Sequence, residues 1–301
     1  MTNTVQVHVH CLYYTIHSFQ VPLPPYQSAQ LPDDLRSDGR TCLSYRNFEL
    51  ECGVVSNTSG SARLKLSNTQ VLVGVKAEMG PPNQLNPSRG TIEFFVDFSA
   101  NASPKFAGRG GDELAGEISN MLGLVYKNEK MLDYKSLCVI AGQCVWTLYA
   151  DIVVLECGGN LFDAIALAVK AALYNTRIPL VTVQKDMDGT EDIEVSSNPH
   201  DFITLDTKNL PVLVTVTKFD SGHIVDATLE EEACSMACIV AAVNKEGAID
   251  GIMKKGSGSL TIDSIHEMLD SAKQIGKDLN MSLDVFLSKK GREMSSKGFL
   301  S

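Results

Sequence analysis

One turn in the sequence has the composition of a phosphate-binding loop. Gly158 and Gly159 follow a long apolar stretch, and the apolar residues after Asn160 recur at helical spacing. Such a turn between a strand and a helix exposes backbone N–H groups at the helix N-terminus, where an anion can bind. Phosphate binding normally adds a cation, but this turn continues with Leu161, and Asp163 in the first helical turn would repel an anion. The sequence therefore favours a tight packing turn over a working phosphate site.

An acidic run later in the chain is the second group that could do chemistry. It consists of Asp226, Glu230, Glu231 and Glu232. Paired carboxylates can hold Mg²⁺ or act as general acid and base. The simpler interpretation is a solvated acidic loop, or a loop that is salt-bridged to a neighbouring subunit.

Two groups of cations lie in glycine-containing loops. Lys105 and Arg109 occupy a loop that also holds proline, which could let the backbone approach RNA phosphates. The same loop is equally consistent with a plain connection into the helix that begins near Asp112. We keep Lys105 and Arg109 as candidate RNA contacts. For Lys254 and Lys255, at the end of a hairpin, a solvated turn is the preferred interpretation.

The cysteines argue against a metal site and against a disulfide framework. There are eight cysteines, and no two have Cys-x-x-Cys spacing. A zinc site could use Cys234 and Cys238, or His8, His10 and Cys11, but neither set has paired ligand spacing elsewhere. We therefore predict reduced thiols, with no metal and no cofactor.

The secondary structure that must position these candidate residues begins in the first half of the chain, where the hydrophobic pattern is regular. Alternating apolar and polar residues predict four antiparallel strands, at about 48–54, 62–66, 71–75 and 92–98. Apolar residues at 114–125 then recur with the helical period.

The stretch around the glycine turn combines a central strand with a buried helix. The strand, at 145–155, is apolar on both faces. The helix runs to about Asn175, with Asn160 as its candidate N-cap.

The second half repeats this mixture of strands and helix after an acidic, turn-rich segment at 186–201. Strands are predicted at 212–217 and 223–227, then a hairpin through 236–253, and a last amphipathic helix after Thr261. The fold class is therefore α+β with two related lobes.

We divide the chain into four segments on this basis. They are a flexible tail at 1–31, a first lobe at 32–185, an inter-lobe segment at 186–208 and a second lobe at 209–301.

Length and charge exclude some classes of function. The chain has 301 residues, with 26 Lys and Arg against 36 Asp and Glu, a net charge of −10. A free-standing nucleic-acid-binding protein normally has a basic footprint, so this balance argues against one. A local basic patch, or a partner that supplies the charge, stays open. No stretch has the roughly 18 continuous apolar residues of a membrane span, so we predict no membrane partner.

Several ordered motifs resemble the RNase PH family. They are LRSDGR at 35–40, SGSAR at 59–63 before a valine-rich strand, ECGG at 156–159 before a buried helix, and Val225–Asp226 before the acidic run. The resemblance extends from about residue 32 to the C-terminus. Within the family, the runs at 55–63, 93–100, 156–164 and 225–229 are most similar to a ring subunit of the eukaryotic RNA exosome.

This resemblance implies a fold, an assembly and a cellular place. The fold is the RNase PH-like (ribosomal protein S5 domain 2-like) two-lobed βα fold, and six such chains form a ring around a channel for single-stranded RNA. The implied partners are the other RNase PH-like ring subunits and cap subunits with OB-fold and KH domains. The implied locations are the nucleus, nucleolus and cytoplasm.

The resemblance also implies that this chain is not an enzyme. Active members split RNA by phosphorolysis, with an arginine in a Gly-Gly-Thr-Arg turn and two aspartates six positions apart. The Thr-Arg pair falls on Asn160 and Leu161, and the aspartates fall on Glu232 and Cys238. We therefore predict a non-catalytic ring subunit that supports RNA processing and degradation. Two alternatives stay open: a phosphate-dependent 3′→5′ exoribonuclease, and a free RNA-binding module.

Overall fold

Alternating apolar and polar residues in the first half of the chain build a seven-stranded sheet. The computed structural model describes residues 18–19, 36, 38–185, 191–196, 198, 200–219 and 222–296. The sheet consists of β1 (Ser18–Phe19), β2 (Phe48–Cys52), β3 (Gly60–Leu66), β4 (Thr69–Gly80), β5 (Thr91–Phe98), β6 (Cys138–Ile140) and β7 (Cys144–Glu156). The strand order is β1-β2-β3-β4-β7-β5, and β6 also pairs with β7. The predicted strands are confirmed, and the predicted central strand is β7.

The pairing of β5 differs from the prediction of four antiparallel strands. β5 lies at the sheet edge and pairs parallel with β7, with Phe95 opposite Asp151. Between β5 and β7 the chain forms α1 (Asp112–Tyr126), which packs on β5. Parallel neighbours need such a crossover connection, whereas antiparallel neighbours can be joined by a tight turn.

The helix after the glycine turn, α2 (Leu161–Tyr174), is enclosed on all sides. Every residue from Leu161 to Leu173 is buried, which explains why its sequence lacks a polar face. It packs against β3 and β4. A Cβ at Gly60 in β3 would lie 2.4 Å from Oγ1 of Thr176, just beyond the helix, so only glycine permits this approach.

Four short strands lie at the end of the predicted first lobe and in the inter-lobe segment, where the sequence analysis assigned no strand. They are β8 (Arg177–Pro179), β9 (Val181–Lys185), β10 (Glu191–Val195) and β11 (Phe202–Thr204). β8 pairs with β11, and β9 pairs with β10, both antiparallel. Residues 186–190 lie outside the described residues, as does the predicted tail at 1–31 except for β1.

The second lobe adds a second sheet and an outer helix. Its elements are β12 (Val212–Phe219), β13 (Gly222–Val225), α3 (Leu229–Cys234), β14 (Cys238–Val243), β15 (Ile249–Lys255) and α4 (Ile262–Ser296). The strands lie in the order β13-β12-β14-β15.

The two sheets enclose the inner helices. α2 packs against both β4 and β12, while α4 covers β12 and β14. The layers are therefore sheet, helices, sheet and helix, and the glycine turn lies where the two lobes meet. Across the described residues, no helix combines the length and apolar character needed to cross a membrane.

Candidate functional site

The glycine turn before α2 is a packing turn, and a carboxylate of the same chain fills its anion position. Gly159 has a φ of 96°, and a Cβ there would lie 2.7 Å from the carbonyl oxygen of Ala227. Only glycine accepts this conformation and this contact. The backbone N–H of Asn160 donates to Oε1 of Glu232, 2.8 Å away. The positive end of α2 thus faces a carboxylate from the second lobe.

Asn160 lies at the N-cap position of α2, as predicted, but its side chain does not cap the helix. Its backbone is left-handed, with φ 55° and ψ 52°, and its side chain makes no capping hydrogen bond. Its Nδ2 donates instead to Asp163 at 2.9 Å and to Asp226 at 2.8 Å. Asn160 therefore bridges two buried carboxylates, and among the described residues its own Oδ1 finds no hydrogen-bond partner.

The four positions that the resemblance marks as degenerate lie together. Asn160, Leu161, Glu232 and Cys238 all line one cavity of about 250 Å³ between the lobes. Leu161 lines the cavity at the position where a cation would be needed to bind an anion. Burial raises the pKa of Cys238 to about 11, so its thiol is neutral at pH 7. In the described residues, no cluster of three or more His, Cys, Asp or Glu side chains could hold a metal ion.

One cation does line this cavity, contrary to the prediction of a solvated turn. Nζ of Lys255 lies 4.5 Å from the ring centre of Phe162 and 2.7 Å from a carboxylate oxygen of Glu117. An ammonium held over an aromatic face and paired with a carboxylate is already satisfied. Lys255 is thus engaged by its own chain.

Two carboxyl groups beside the turn have raised pKa values. Burial raises the pKa of Asp163 to about 6, against hydrogen bonds from Thr215, Tyr45 and Asn160. Its oxygens accept from the Tyr45 hydroxyl at 2.5 Å and from the Thr215 N–H and hydroxyl at 3.0 and 2.7 Å. Loss of hydration likewise raises the pKa of Glu232, although the Asn160 N–H opposes the shift. Asp163 therefore points into the lobe junction and not at an incoming anion.

The interpretation of the acidic run as a solvated loop was wrong for Asp226 and Glu231, whereas Glu230 and Glu232 are exposed. Asp226 is completely buried and accepts from Arg40 at 2.8 Å, from Arg46 at 2.7 Å and from Asn160. Burial acts to raise the pKa of Asp226, but the hydrogen bonds and charge of Arg46 lower it overall. Asp226 is thus a structural ion held between the lobes.

The next acidic residues form the short helix α3. Thr228 accepts from the N–H of Glu231, whose carboxylate in turn accepts from the N–H of Thr228, a capping box. The same carboxylate pairs side-on with the guanidinium of Arg36, which also donates to the carbonyl oxygens of Val225 and Asp226. Glu231 therefore fixes α3, and with it the neighbouring Glu232.

Sequence reasoning missed the roles of the three arginines and of Tyr45. Arg36 and Arg40 were noted only as members of a motif, and Arg46 not at all. The sequence signal for these roles was the clustering of three arginines, at 36, 40 and 46, in a short segment before β2. No spacing rule connects such a cluster with acidic residues near position 226.

Lys105 and Arg109 lie apart from the cavity. Lys105 belongs to a 3-10 helix at Pro104–Phe106, and both cations are exposed.

Both lobes match a known family. Residues 44–179 match the 3′ exoribonuclease family, domain 1, and residues 209–275 match its domain 2. The chain belongs to the RNase PH family. The predicted RNase PH-like α+β fold is confirmed.

Relatives and solved structures within the RNase PH family carry exosome names. A Dictyostelium discoideum protein named putative exosome complex exonuclease RRP42 is 34% identical, covering 83% of this chain and 92% of the relative. The exosome complex component Rrp42 of Methanothermobacter thermautotrophicus is 37% identical, covering 76% of this chain and 82% of the relative. A chain of the Archaeoglobus fulgidus exosome with RNA bound to the active site has a TM-score of 0.70 at 29% identity, covering 83% of this chain and 92% of that chain.

Proposed function

We propose that this chain is a non-catalytic ring subunit of an RNA exosome. It buries sheet and helix surfaces against other RNase PH-like subunits, supports OB-fold and KH cap subunits, and helps to enclose a channel for single-stranded RNA. In this role it supports 3′→5′ processing and degradation of RNA, ribosomal RNA included. We place it in the nucleus, nucleolus and cytoplasm. The exosome names of the relatives support the assembly, since they cover most of this chain.

One observation carries the non-catalytic part of the proposal. The N-terminus of α2, where the family resemblance puts inorganic phosphate, already receives the carboxylate of Glu232 through the N–H of Asn160. A phosphate would have to displace this carboxylate or sit beside it, and Leu161 offers no guanidinium to offset the repulsion. Loss of a charge-assisted, bidentate contact to a reacting anion typically costs orders of magnitude in rate.

The alternative is an active phosphate-dependent 3′→5′ exoribonuclease. It is favoured by Lys255, which lines the same cavity, and by the exonuclease name of the Dictyostelium relative. In that case Lys255 would have to leave Glu117 to meet the phosphate.

A 3′-end degradation assay separates the two functions. Labelled single-stranded RNA is given to the purified chain and to the reconstituted ring, with and without inorganic phosphate. We expect that the chain alone does not shorten the RNA in a phosphate-dependent way. Any shortening of the RNA by the ring should be unchanged when this chain carries Lys255→Met or Glu232→Gln. Shortening that needs phosphate and is abolished by either substitution would establish the alternative.

The RNA contacts of Lys105 and Arg109 form a separate part of the proposal. Reversing both charges (Lys105→Glu with Arg109→Glu) should weaken RNA entry while the ring still assembles. The matched control is Lys130→Glu with Lys208→Glu, because these lysines are also exposed but lie elsewhere on the surface. If ribonuclease protection of RNA in the channel is the same for both double variants, Lys105 and Arg109 do not contact RNA.

A further inference from the structure

An exposed aromatic side chain lies on the edge strand of the first sheet. Phe95 of β5 is 54% exposed, whereas Phe94 and Phe98 of the same strand are buried in the core. The ring centre of Phe95 lies 6.2 Å from that of Tyr149 on β7, and the two ring planes are tilted by 30°. The two rings form a small aromatic surface on the outer face of the sheet.

Carboxylates flank this ring on the same outer face. Asp151 lies directly opposite Phe95 in the pairing of β5 with β7, and Asp97 follows Phe95 two positions along β5. Paired residues, and residues two apart in a strand, point to the same face of a sheet. Both carboxylates are exposed, and within the described residues neither forms an ion pair.

The cations nearest to this surface are engaged by other carboxylates. Lys127, just after α1, pairs with Glu93 at 2.8 Å, and Lys76 on β4 pairs with Glu78 at 2.5 Å. The pKa of Lys76 is raised mainly by Glu78, and Asp151 adds a smaller electrostatic effect. The charge of the two aspartates beside Phe95 is therefore left for a group from outside the chain.

The backbone of β5 offers a second means of binding. The sheet order ends at β5, and within the described residues β5 pairs with β7 alone. An edge strand presents unpaired N–H and C=O groups, to which an extended peptide can add as a further strand. Carboxylates on this edge repel nucleic-acid phosphates, and they repel a second copy of a chain with net charge −10. A strand that carries positive charge meets no such repulsion.

Two other aromatic rings of this chain show which group fits such a surface. Cζ of Arg177 lies 4.7 Å from the ring centre of Phe202, and the ammonium of Lys255 lies over Phe162. In the part of the chain that the structure describes, no cation lies over Phe95. A guanidinium fits best, because it stacks on an aromatic ring and also donates side-on to carboxylates.

We propose that β5 binds an extended, arginine-containing peptide of a protein outside the ring, with the arginine on Phe95 and its guanidinium paired with Asp97 and Asp151. The peptide backbone extends the first sheet, and the arginine provides the selectivity. This inference goes beyond the proposed function, because the site lies within one chain and does not require the ring.

A pair of labelled peptides tests the site on the full chain. The probe alternates valine and threonine around one central arginine, and the matched probe has glutamine at the centre. In a fluorescence anisotropy titration at low salt, we expect the arginine probe to bind at least about fivefold more tightly, with a difference that shrinks as salt is added. Equal binding of the two probes overturns the inference.

Substitutions in the chain separate the ring from the carboxylates. Phe95→Leu keeps an apolar side chain but removes the aromatic face, so the arginine probe should bind roughly threefold more weakly or worse. Asp97→Asn with Asp151→Asn should remove most of the salt dependence of binding. Binding that neither variant changes overturns the inference.

Controls use exposed residues of the same types in other parts of the chain. Phe219 is 42% exposed on β12, and Asp192 is exposed on β10. Phe219→Leu and Asp192→Asn should bind the arginine probe as the unsubstituted chain does. Losses as large as those of the site variants would overturn the assignment to β5.

Amide hydrogen exchange over 91–98 gives an independent readout, in the free chain and in the reconstituted ring. Slower exchange with the arginine probe than with the glutamine probe supports pairing at the edge of β5, and unchanged exchange overturns it. Protection by the probe that persists in the ring supports a partner outside the ring. If ring assembly or an RNA oligonucleotide displaces the probe, a ring neighbour or RNA covers β5 and the inference is overturned.

Discussion

Arg46 holds the buried carboxylate of Asp226 side-on, with Nε 2.9 Å from Oδ2 and Nη2 2.7 Å from Oδ1. The same guanidinium donates to the carbonyl oxygens of Gly158 and Gly159 at 2.9 and 3.2 Å. Arg46 lies just before β2, Asp226 follows β13, and the glycines precede α2. This one pair therefore fixes three parts of the chain relative to each other, and bidentate geometry makes the connection directional.

Removing the charge of Asp226 should strongly destabilise the fold. Asp226→Asn leaves the guanidinium groups of Arg40 and Arg46 without their shared counter-charge in a site closed to water. Breaking a buried ion pair from one side typically costs about 3–5 kcal/mol, and we expect a loss of that size in the free energy of unfolding at pH 7. Urea denaturation measures it. Asp151→Asn, on the exposed face of the first sheet, is the control and should change stability by no more than about 0.5 kcal/mol. Equal effects of the two substitutions would contradict the structural role of Asp226.

The raised pKa of Asp163 predicts a specific pH dependence of stability. Because its native pKa of about 6 exceeds the ordinary value of 3.8, the native state binds this proton more tightly than the unfolded state. Its contribution is fully present below about pH 4 and is lost as the pH rises through about 6, with an upper limit of roughly 3 kcal/mol. The lowered pKa values of Asp226 and Glu231 act in the opposite direction, but only near and below their ordinary values.

Comparing the unsubstituted chain with Asp163→Asn by urea denaturation between pH 7 and pH 4.5 isolates Asp163, because Glu232, whose pKa is also raised, is present in both proteins. The unsubstituted chain should gain stability relative to Asp163→Asn as the pH falls, since the variant has no proton to bind there. Parallel stability curves for the two proteins would show that Asp163 titrates at its ordinary pKa.

Leu161 and Cys238 should be energetically coupled because they line the same cavity. Cys238→Asp adds a carboxylate near Glu232 and should destabilise the chain by about 1–3 kcal/mol. Leu161→Arg supplies the opposite charge across the cavity, so the double variant should be at least about 1 kcal/mol more stable than the sum of the single effects.

A second double-mutant cycle controls for effects of a new arginine that do not depend on the cavity. Leu124 is 80% exposed on α1 and does not line the cavity, so Leu124→Arg should be additive with Cys238→Asp within about 0.5 kcal/mol. If both cycles are additive, Leu161 and Cys238 do not face each other.

Lys170 should be required for the docking of α4. Burial lowers its pKa, and its ammonium donates to Oδ1 of Asn280 at 2.7 Å and to the carbonyl oxygen of Leu210 at 3.0 Å. Lys170→Met keeps the volume but leaves these buried acceptors without a donor, so the free energy of unfolding should fall by about 2–4 kcal/mol. Lys273→Met is the control, because Lys273 is exposed and its pair with Asp270 lies at the surface. A loss no larger than that of the control would contradict the role of Lys170.

Much of the fold followed from local patterns. Periodicity located β2, β3, β4, β7, α1 and α2, because the spacing of apolar residues reports which face of an element is buried. It could not decide that β5 pairs parallel with β7, since alternation within a strand is the same for either partner. Strand β10 was missed because its acidic residues have the composition of a loop, and without that partner β9 was left unassigned.

For the site, the sequence alone determined what is absent, and the tertiary structure decided what replaced it. Leu161 already showed that this position of the glycine turn supplies no guanidinium, because the chemistry of a side chain is a property of the residue itself. That Glu232 reaches the N–H of Asn160, and that Arg46 meets Asp226, could not be derived in this way. These partners are 72 and 180 positions apart, and only the packing of the two lobes, driven by their apolar surfaces, brings them within hydrogen-bond distance.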